Sequence, residues 1–258
     1  MASKTKPYTI CGYSVRESRR SRRLRVQVST SGEVEVVVPR GYRREGPQGP
    51  VFDPRVVQFL REKQGWIEQT QRRMRTARQS RSPETAQAQP AYILLRALGQ
   101  SWRVDYRPGP GDRIQIQAAA GRLQLSGAIH QVSTCQRALQ IWVRDAAKRH
   151  LVPWLEQVSQ EVQMPYSKAT IRRQKTRWGS CTSRQTISLN DKLLFLPPAL
   201  VRYVLIHELC HTVHLNHSAE FWSLVGQWEP DYQRLDHALK EGWQYVPDWL
   251  TAGHSVNR

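Results

Sequence analysis

Cysteine is scarce in this sequence, and the four that occur are widely scattered along its 258 residues: Cys11, Cys135, Cys181 and Cys210. No C-x-x-C pair is present, which argues against a zinc knot built from cysteines. Four cysteines are also too few for a disulfide scaffold. With 39% hydrophobic residues, the composition is instead that of a soluble globular protein with one large domain or two small ones.

Long hydrophobic runs are also missing. The most apolar stretch, "LLFLPPALVRYVLI", is interrupted by two prolines and by Arg202, and it falls short of the roughly 20 apolar residues of a membrane span. The N-terminal stretch "MASKTKPYTICGYSVRESRR" has no apolar core of the kind that a secretory signal needs. We therefore expect no contact with a membrane and take the cytoplasm as the default location.

Acidic residues are outnumbered, with 21 Asp and Glu against 39 Lys and Arg, which gives a net charge of +18. The excess is concentrated in the first eighty residues, which hold 18 basic and 7 acidic residues. Such a charge favours contact with polyanions such as nucleic acid or a nucleotide, although it also serves plain solubility. The candidates for such contact include the nearly contiguous run Arg19, Arg20, Arg22 and Arg23.

Residues 1–78 are predicted to form a small basic region rich in β-structure. Alternating apolar residues on either side of "TSGE" predict a hairpin, with Leu24, Val26 and Val28 opposite Val34, Val36 and Val38. The period then becomes helical from Val56 to Ile67, with Asp53 as a cap before Pro54. Residues 79–91 lack large apolar side chains and predict a linker.

Residues 92–258 are predicted to form a second, larger domain. Several short strands broken by glycine and proline lead into a long helix from about Val132 to Val162, in which Pro153 is a candidate kink. A hairpin of "KATIRRQK" and "RWGSCTSRQTISLN" follows. Next come a helix with prolines at its start and two shorter helices, from Ser218 and from Asp231. No internal repeat is visible, and the pattern as a whole predicts an α+β fold.

The segment "HELCHTVHLNH", residues 207–217, holds four histidines and a glutamate in eleven positions. His207 and His211 are four residues apart, so both side chains lie on one face of a helix and can hold a single cation. Glu208 lies about 100° round the helix from His207 and can reach a water on the metal rather than the metal itself. Zinc fits best, because imidazole suits it.

The third ligand is either His214 or His217. On a continuous helix, His214 would lie about 7–8 Å along the axis from the midpoint of the first pair, too far for the same tetrahedron. Asn216 can adopt the left-handed conformation that ends a helix, and Ser218 can cap the next helix. The chain can then turn back, so we predict His217 as the third ligand of one Zn²⁺ per chain, with a fourth position left open.

Six short segments follow one another along the chain: "KTRWGSC", "LN", "PP", "YVLIHELCH", "NHSAEFW" and "PDY". Their order resembles that in the YgjP-like metal-dependent hydrolases, which are relatives of the SprT-like and WLM zincin metallopeptidases. The resemblance covers nearly the whole chain and is strongest over residues 175–232. It implies a zincin-like catalytic domain with the H-E-x-x-H helix and a β-hairpin, in which His207, His211 and His217 bind zinc and Glu208 is the catalytic base. The insert "REGPQGPVFD" and the linker depart from the family in length.

The same resemblance makes "RWGSC" a motif beside the active site. Gly179 and Ser180 permit the close backbone approach that an edge strand needs if it is to pair with an extended substrate. Trp178 could form a wall of the cleft, and Arg177 could bind a carboxylate or a phosphate. The alternative is a well-packed hairpin with a core tryptophan and a buried Cys181.

The predicted mechanism combines a zinc-activated water with Glu208, which takes a proton and returns it to the leaving group. A further donor should stabilise the developing oxyanion, and the candidates are His237, Tyr232 and Asn190. The leading function is a zinc metallopeptidase that acts on a peptide or protein. Two alternatives stay open: a phosphohydrolase acting on a nucleotide or another polyphosphate, and a nucleic-acid-binding module with a vestigial catalytic domain. Retention of Glu208 argues against the second.

Overall fold

A computed structural model of the chain describes residues 8–18, 21–28, 32–47, 49–79 and 87–251. It mixes helices and sheets, and it divides into two compact units, Met1–Ser80 and Arg81–Arg258. Arg19 and Arg20 of the basic run and residues 80–86 of the predicted linker lie outside the described residues. The domain boundaries at 78 and 91 stay predictions.

The first unit combines short strands with one long helix. The strands are β1 (Tyr8–Ile10), β2 (Tyr13–Ser18), β3 (Arg25–Val28), β4 (Val34–Pro39), β5 (Arg43–Gly46) and β6 (Gly49–Phe52), and helix α1 spans Pro54–Gln79. The first four strands form a sheet in the order β1-β2-β4-β3. Its central pair is parallel and its outer pairs are antiparallel. Strands β5 and β6 form a separate hairpin at the insert "REGPQGPVFD".

The hairpin predicted in this unit is confirmed by the antiparallel pairing of Val26 with Val36 and of Val28 with Val34. Val34, Val36 and Val38 of β4 are buried, and they share one face because residues two apart point to the same side of a strand. They pack in one core with residues of α1 at helical spacing, namely Val56, Leu60 and Ile67. Trp66, which follows the same predicted period, is exposed.

The second unit begins with a sheet of similar plan. Its strands are β7 (Tyr92–Leu95), β8 (Gln100–Pro108), β9 (Ile114–Ala119) and β10 (Arg122–Gly127), and helix α2 spans Val132–Glu161. A 3-10 turn at Arg96–Leu98 joins the first two strands. The order is β7-β8-β10-β9, again with a parallel central pair and antiparallel outer pairs.

The two units therefore repeat one topology, a four-stranded sheet of the same order and sense with a long helix after it. No internal repeat is visible in the sequence, and this recurrence is seen only in the structure. Cores tolerate extensive exchange of apolar residues as long as volume and pattern are kept, so two copies of a topology need not share a visible sequence period. The β5–β6 hairpin, which separates the first sheet from its helix, also makes the two copies differ in length.

The rest of the second unit carries the candidate site. It contains strands β11 (Lys168–Arg172), β12 (Gly179–Cys181) and β13 (Thr186–Asn190) and helices α3 (Pro198–Cys210), α4 (Ala219–Trp228), α5 (Tyr232–Lys240) and α6 (Asp248–Thr251). Two 3-10 turns lie at Asp191–Phe195 and Gly242–Tyr245. Buried residues of these elements share one core with those of α2 and the second sheet. The predicted bounds of α2 and the predicted starts of α4 and α5 are met within one residue.

Strand β12 lies at one edge of a three-stranded sheet with the order β11-β13-β12. The predicted hairpin between "KATIRRQK" and the following segment is wrong, because β11 pairs in parallel with β13 and not with β12. The antiparallel pair, β12 with β13, forms inside "RWGSCTSRQTISLN". In the part of the chain that the structure describes, no helix is long and apolar enough to cross a membrane.

Candidate metal centre

Helix α3 carries the first half of the candidate metal centre. Pro197 is its N-cap residue and Pro198 its first helical residue, a position where a missing N–H costs little. Most side chains from Leu200 to Cys210 are buried, so packing fixes the helix within the core. His207 and Glu208 lie in its last turn.

The helix ends earlier than the sequence predicts. His211 is its C-cap residue, and the N–H groups of Val213 and His214 both donate to the carbonyl of Cys210, at 3.1 and 2.9 Å. This tight turn satisfies a carbonyl that the helix end would otherwise leave unpaired. The prediction that Asn216 ends the helix in a left-handed conformation was wrong: its φ is not positive, because the turn at 211–214 has already ended the helix.

His217 reaches the site because a new helix begins directly after it. The Oγ of Ser218 accepts a hydrogen bond from the N–H of Phe221 at 3.5 Å, so the predicted cap of α4 is confirmed. The Nε2 atom of His217 lies 3.1 Å from the Nε2 atom of His207.

The three candidate ligands come together in the structure. Ring nitrogens of His207, His211 and His217 all lie within 4.8 Å of one another. Two nitrogens bound to a tetrahedral zinc at 2.0–2.1 Å stand about 3.4 Å apart, which is close to the 3.1 Å between the Nε2 atoms of His207 and His217. Among the described residues, no fourth histidine, cysteine or carboxylate joins this cluster, as a site with an open coordination position requires.

His207 and His211 are held in the neutral form that metals bind. Burial, helped by the neighbouring imidazoles, lowers the pKa of His207 to about 4, and burial also lowers the pKa of His211. The Nδ1 of His211 lies 2.9 Å from the backbone carbonyl of His214. Since a carbonyl only accepts, Nδ1 carries the proton and Nε2 keeps its lone pair for a metal. His214 thus contributes its carbonyl oxygen to the site.

Aromatic side chains that the sequence analysis did not single out enclose the histidines. Phe221 stacks on His211 with ring centroids 4.4 Å apart, and Trp222 stacks on His217 at 5.5 Å. Both belong to "NHSAEFW", and their position in the first turn after the cap is the signal that could have identified them. Their rings restrict the orientation of the two imidazoles.

Glu208 is buried against β12. Only 5% of the residue is exposed, and a Cβ added at Gly179 would lie 2.5 Å from Glu208 Oε1. The other oxygen, Oε2, is buried and has no hydrogen-bond partner among the described residues. Burial raises the pKa of this carboxyl group to about 8, while the positive charge of Arg177 acts to lower it. A carboxyl group that titrates near neutral pH can both take and return a proton.

The rest of the "RWGSC" motif divides between the core and the sheet edge. Trp178 is buried and stacks on Trp243 with ring centroids 4.2 Å apart. This agrees with the alternative prediction, in which Trp178 is a core residue. Ser180 pairs in register with Ser188 of β13. Cys181 is half-buried rather than buried.

Asn190 is fully buried, and its side chain binds the backbone of the segment that precedes β12. Its Nδ2 donates to the carbonyls of Gln174 and Arg177 at 3.0 and 2.8 Å, and its Oδ1 accepts from the N–H of Lys192 at 3.2 Å. Both amide hydrogens are used in these bonds. The prediction of Asn190 as an oxyanion donor is therefore corrected.

The other two candidate donors lie on α5. The ring of Tyr232 stacks on Trp222 at 5.4 Å, which connects it to His217 through a continuous aromatic stack. Its hydroxyl oxygen accepts a weak bond from Gln233 at 3.5 Å. His237 is exposed in the last turn of the helix. Of the two, Tyr232 has the clearer connection to the metal centre.

Lys192 is buried next to the segment that precedes the "RWGSC" motif. Its Nζ donates a hydrogen bond to the carbonyl of Gln174 at 2.9 Å. Burial lowers its pKa from 10.5 to about 8; the charges of Arg173 and Lys175 add to this effect, and Asp191 opposes it. In the interval between these two values the unfolded chain binds a proton that the folded chain has lost. The folded state therefore gains stability as the pH rises through the interval.

Lys192→Met is expected to remove this pH-dependent part of the stability. Between pH 7 and pH 10.5, the free energy of unfolding of the wild type should rise by about 2–3 kcal/mol relative to that of the variant. Comparing the two proteins cancels the titration of other groups. Chemical denaturation at a series of pH values measures the difference, and a difference that stayed constant with pH would contradict the expectation.

Comparisons with known proteins cover most of the chain. The model of the YgjP-like family, described as a metallopeptidase domain, matches residues 22–242. Three chains of solved structures match. One is the crystal structure of the metallopeptidase zymogen of Pyrococcus abyssi abylysin, 24% identical, over 36% of this chain and 94% of that chain, with a TM-score of 0.33. A search of curated proteins gave no match. The family match extends from before β3 to beyond α5 and includes every candidate ligand.

Proposed function

The chain belongs to the YgjP-like metallopeptidase family, and from that premise we propose that it hydrolyses peptide bonds with one zinc ion, held by His207, His211 and His217, and with Glu208 as general base. The observation that carries the proposal is the meeting of three imidazole nitrogens within 4.8 Å beside a buried carboxyl group. The chemistry of this donor set suits zinc, because neutral imidazoles bind it well and no fourth protein ligand occupies the remaining position in the described structure. The proposed catalytic domain is zincin-like and spans residues 92–258, with residues 1–78 as a separate basic region.

When bound, the ion would supply Lewis acidity, which lowers the pKa of a water toward neutrality and polarises the carbonyl under attack. Glu208 moves the proton, taking it from the attacking water and giving it to the leaving amine. Gly179 confines Oε1 of this residue, while the unpartnered Oε2 is available to accept. Tyr232 is the proposed donor to the developing oxyanion.

Strand β12 is the proposed docking strand for the substrate. It lies at a sheet edge, so one side of its backbone is unpaired within that sheet and can bind an extended peptide as an added strand. Gly179 and Ser180 supply the backbone groups for this pairing. Since Gly179 lies against Glu208, a peptide bound along β12 would pass close to the general base.

Gly179→Ala is expected to lower kcat/KM for peptide hydrolysis by about 10²-fold. The new Cβ would lie 2.5 Å from Glu208 Oε1 and 2.7 Å from Cγ and Cδ, so the carboxylate or the strand must move. A displacement of about 1 Å near reacting groups costs roughly that factor. Zinc content should be retained, because the ligands lie on other elements.

A matched glycine provides the control for this substitution. A Cβ at Gly65 in α1 would enter open space, so Gly65→Ala should keep full activity and add up to about 1 kcal/mol of stability. Wild-type kinetics in the Gly179→Ala variant would contradict the proposed role of the contact with Glu208.

The proposed function is tested by two assays in parallel, one with an unfolded protein and one with nucleoside triphosphates. Zinc-loaded protein should generate new peptide termini, identified by mass spectrometry, and should release no phosphate. Glu208→Gln, purified in the same way, controls for contaminating enzymes. Phosphate release without peptide cleavage would favour the phosphohydrolase instead. Salt-sensitive binding of nucleic acid without hydrolysis of either substrate would favour a binding module.

A further inference from the structure

The start of β12 and the residues just before it lie close to Glu208. Gly179, the first residue of the strand, is in close contact with the carboxyl group of Glu208. Arg177 lies two residues earlier in the chain, and its positive charge acts on the same carboxyl group. The intervening Trp178 is buried in the core, whereas Arg177 is exposed.

The backbone at Arg177 is firmly held. Its carbonyl accepts a hydrogen bond from Asn190 Nδ2 at 2.8 Å, and the carbonyl of Trp178 accepts one from the N–H of Asn190, also at 2.8 Å. Because Asn190 is 0% exposed, water does not compete with these bonds, which strengthens them. The Arg177 side chain thus departs from a fixed point next to β12.

The guanidinium of Arg177 is free to bind a ligand. The residue is exposed, and within the described parts of the chain its side chain makes no hydrogen bond or ion pair. Arg173 differs, since its guanidinium pairs with the buried Asp191. An arginine whose charge reaches the general base, and whose N–H groups have no internal partner, has its donors available for a bound molecule.

We propose that Arg177 forms a carboxylate-binding subsite that selects substrates with an acidic group close to the bond that is cut. The inference rests on the proposed function, because it concerns a peptide bound along β12. A guanidinium matches the planar shape of a carboxylate and can bind both of its oxygens. The carboxylate can belong to an Asp or Glu side chain or to the C-terminus of the peptide, since both offer the same chemistry.

The test uses peptides that differ in a single carboxylate. In one series, a Glu is placed at successive positions on both sides of the cleaved bond and compared with Gln at the same position, with the C-terminus amidated. In a second pair, the peptide contains no acidic side chain and ends in a free carboxylate or an amide. For zinc-loaded wild type, at least one carboxylate should raise kcat/KM about tenfold at low ionic strength, and added salt should reduce the advantage.

The variants distinguish a specific subsite from general charge. Arg177→Gln should bring the ratio between the acidic peptide and its neutral match close to one. Arg177→Lys should show a preference for the acidic peptide that is smaller than that of the wild type, because lysine retains the charge and loses the two-pronged geometry. Arg184→Gln, an exposed position in the turn after β12, makes the same change in charge on the same hairpin and should keep the wild-type ratio.

Equal rates for acidic and neutral peptides in the wild type would overturn the subsite, and so would an acidic preference that survives Arg177→Gln. The proposed function is judged separately. Cleavage of any peptide in the series that disappears in Glu208→Gln supports it, whatever the ratio, whereas no cleavage of any peptide would contradict both proposals.

Discussion

Glu208→Gln is expected to lower peptide hydrolysis by at least about two orders of magnitude, because proton transfer by a positioned base contributes typically 10²–10⁴-fold. The substitution keeps the shape of the side chain and removes its basicity. Zinc content should barely change, since Glu208 lies outside the cluster of three histidines. The melting temperature should not fall, since Gln replaces a carboxyl group that burial makes costly to ionise. Steady-state kinetics with the substrate that the wild type cleaves, together with metal analysis of the same preparations, measures the effect.

Two outcomes would oppose this expectation for different reasons. Near-normal turnover in the variant would remove Glu208 from the mechanism. Loss of zinc would show that the carboxylate helps to hold the ion, which would contradict its assignment as a base that does not bind the metal.

His217→Ala is expected to weaken zinc binding by more than about 100-fold. Removing a residue that only supports a metal ligand typically costs about 10–100-fold in affinity, and removing a ligand itself should cost more. His217 places its Nε2 3.1 Å from that of His207, so its removal leaves two imidazoles on the end of α3. Zinc affinity is measured by competition with a chelator of known strength. Hydrolysis should fall with zinc occupancy and recover only partly at high zinc concentration.

His214→Ala is the matched control for this prediction. His214 contributes its backbone carbonyl to the site through the bond from His211 Nδ1, and the substitution leaves that carbonyl in place. Zinc affinity should remain close to that of the wild type. If His214→Ala lost zinc and His217→Ala kept it, the choice between the two histidines would be wrong.

Local features of the fold could be predicted from the sequence because local chemistry determines them. The cap at Ser218 follows from its hydroxyl, the start of α3 from Pro197 and Pro198, and the β3–β4 hairpin from alternating valines. The approach of His217 to His207 was also predictable, since the next helix had to begin at Ser218. The predicted end of α3 at Asn216 failed, because a turn closed by backbone hydrogen bonds at 211–214 needs no special residue.

Features that depend on partners distant in sequence could not be predicted in this way. The parallel pairing of β11 with β13 leaves the same alternation of apolar residues as an antiparallel pair. The recurrence of one sheet topology in both units has no counterpart in a visible sequence period. The contact of Gly179 with Glu208 and the bonds of Asn190 to Gln174 and Arg177 join separate segments, so each residue type was visible in the sequence and its partner was not.

Diffraction from zinc-loaded crystals at the zinc absorption edge tests most directly the central claim that three histidines hold one ion beside Glu208. We predict a single anomalous peak about 2.0–2.1 Å from one nitrogen each of His207, His211 and His217, with the carboxylate of Glu208 near the open side of the ion and not bound to it. A peak coordinated by the ring of His214 or by Glu208, or no peak at this cluster, would contradict the claim.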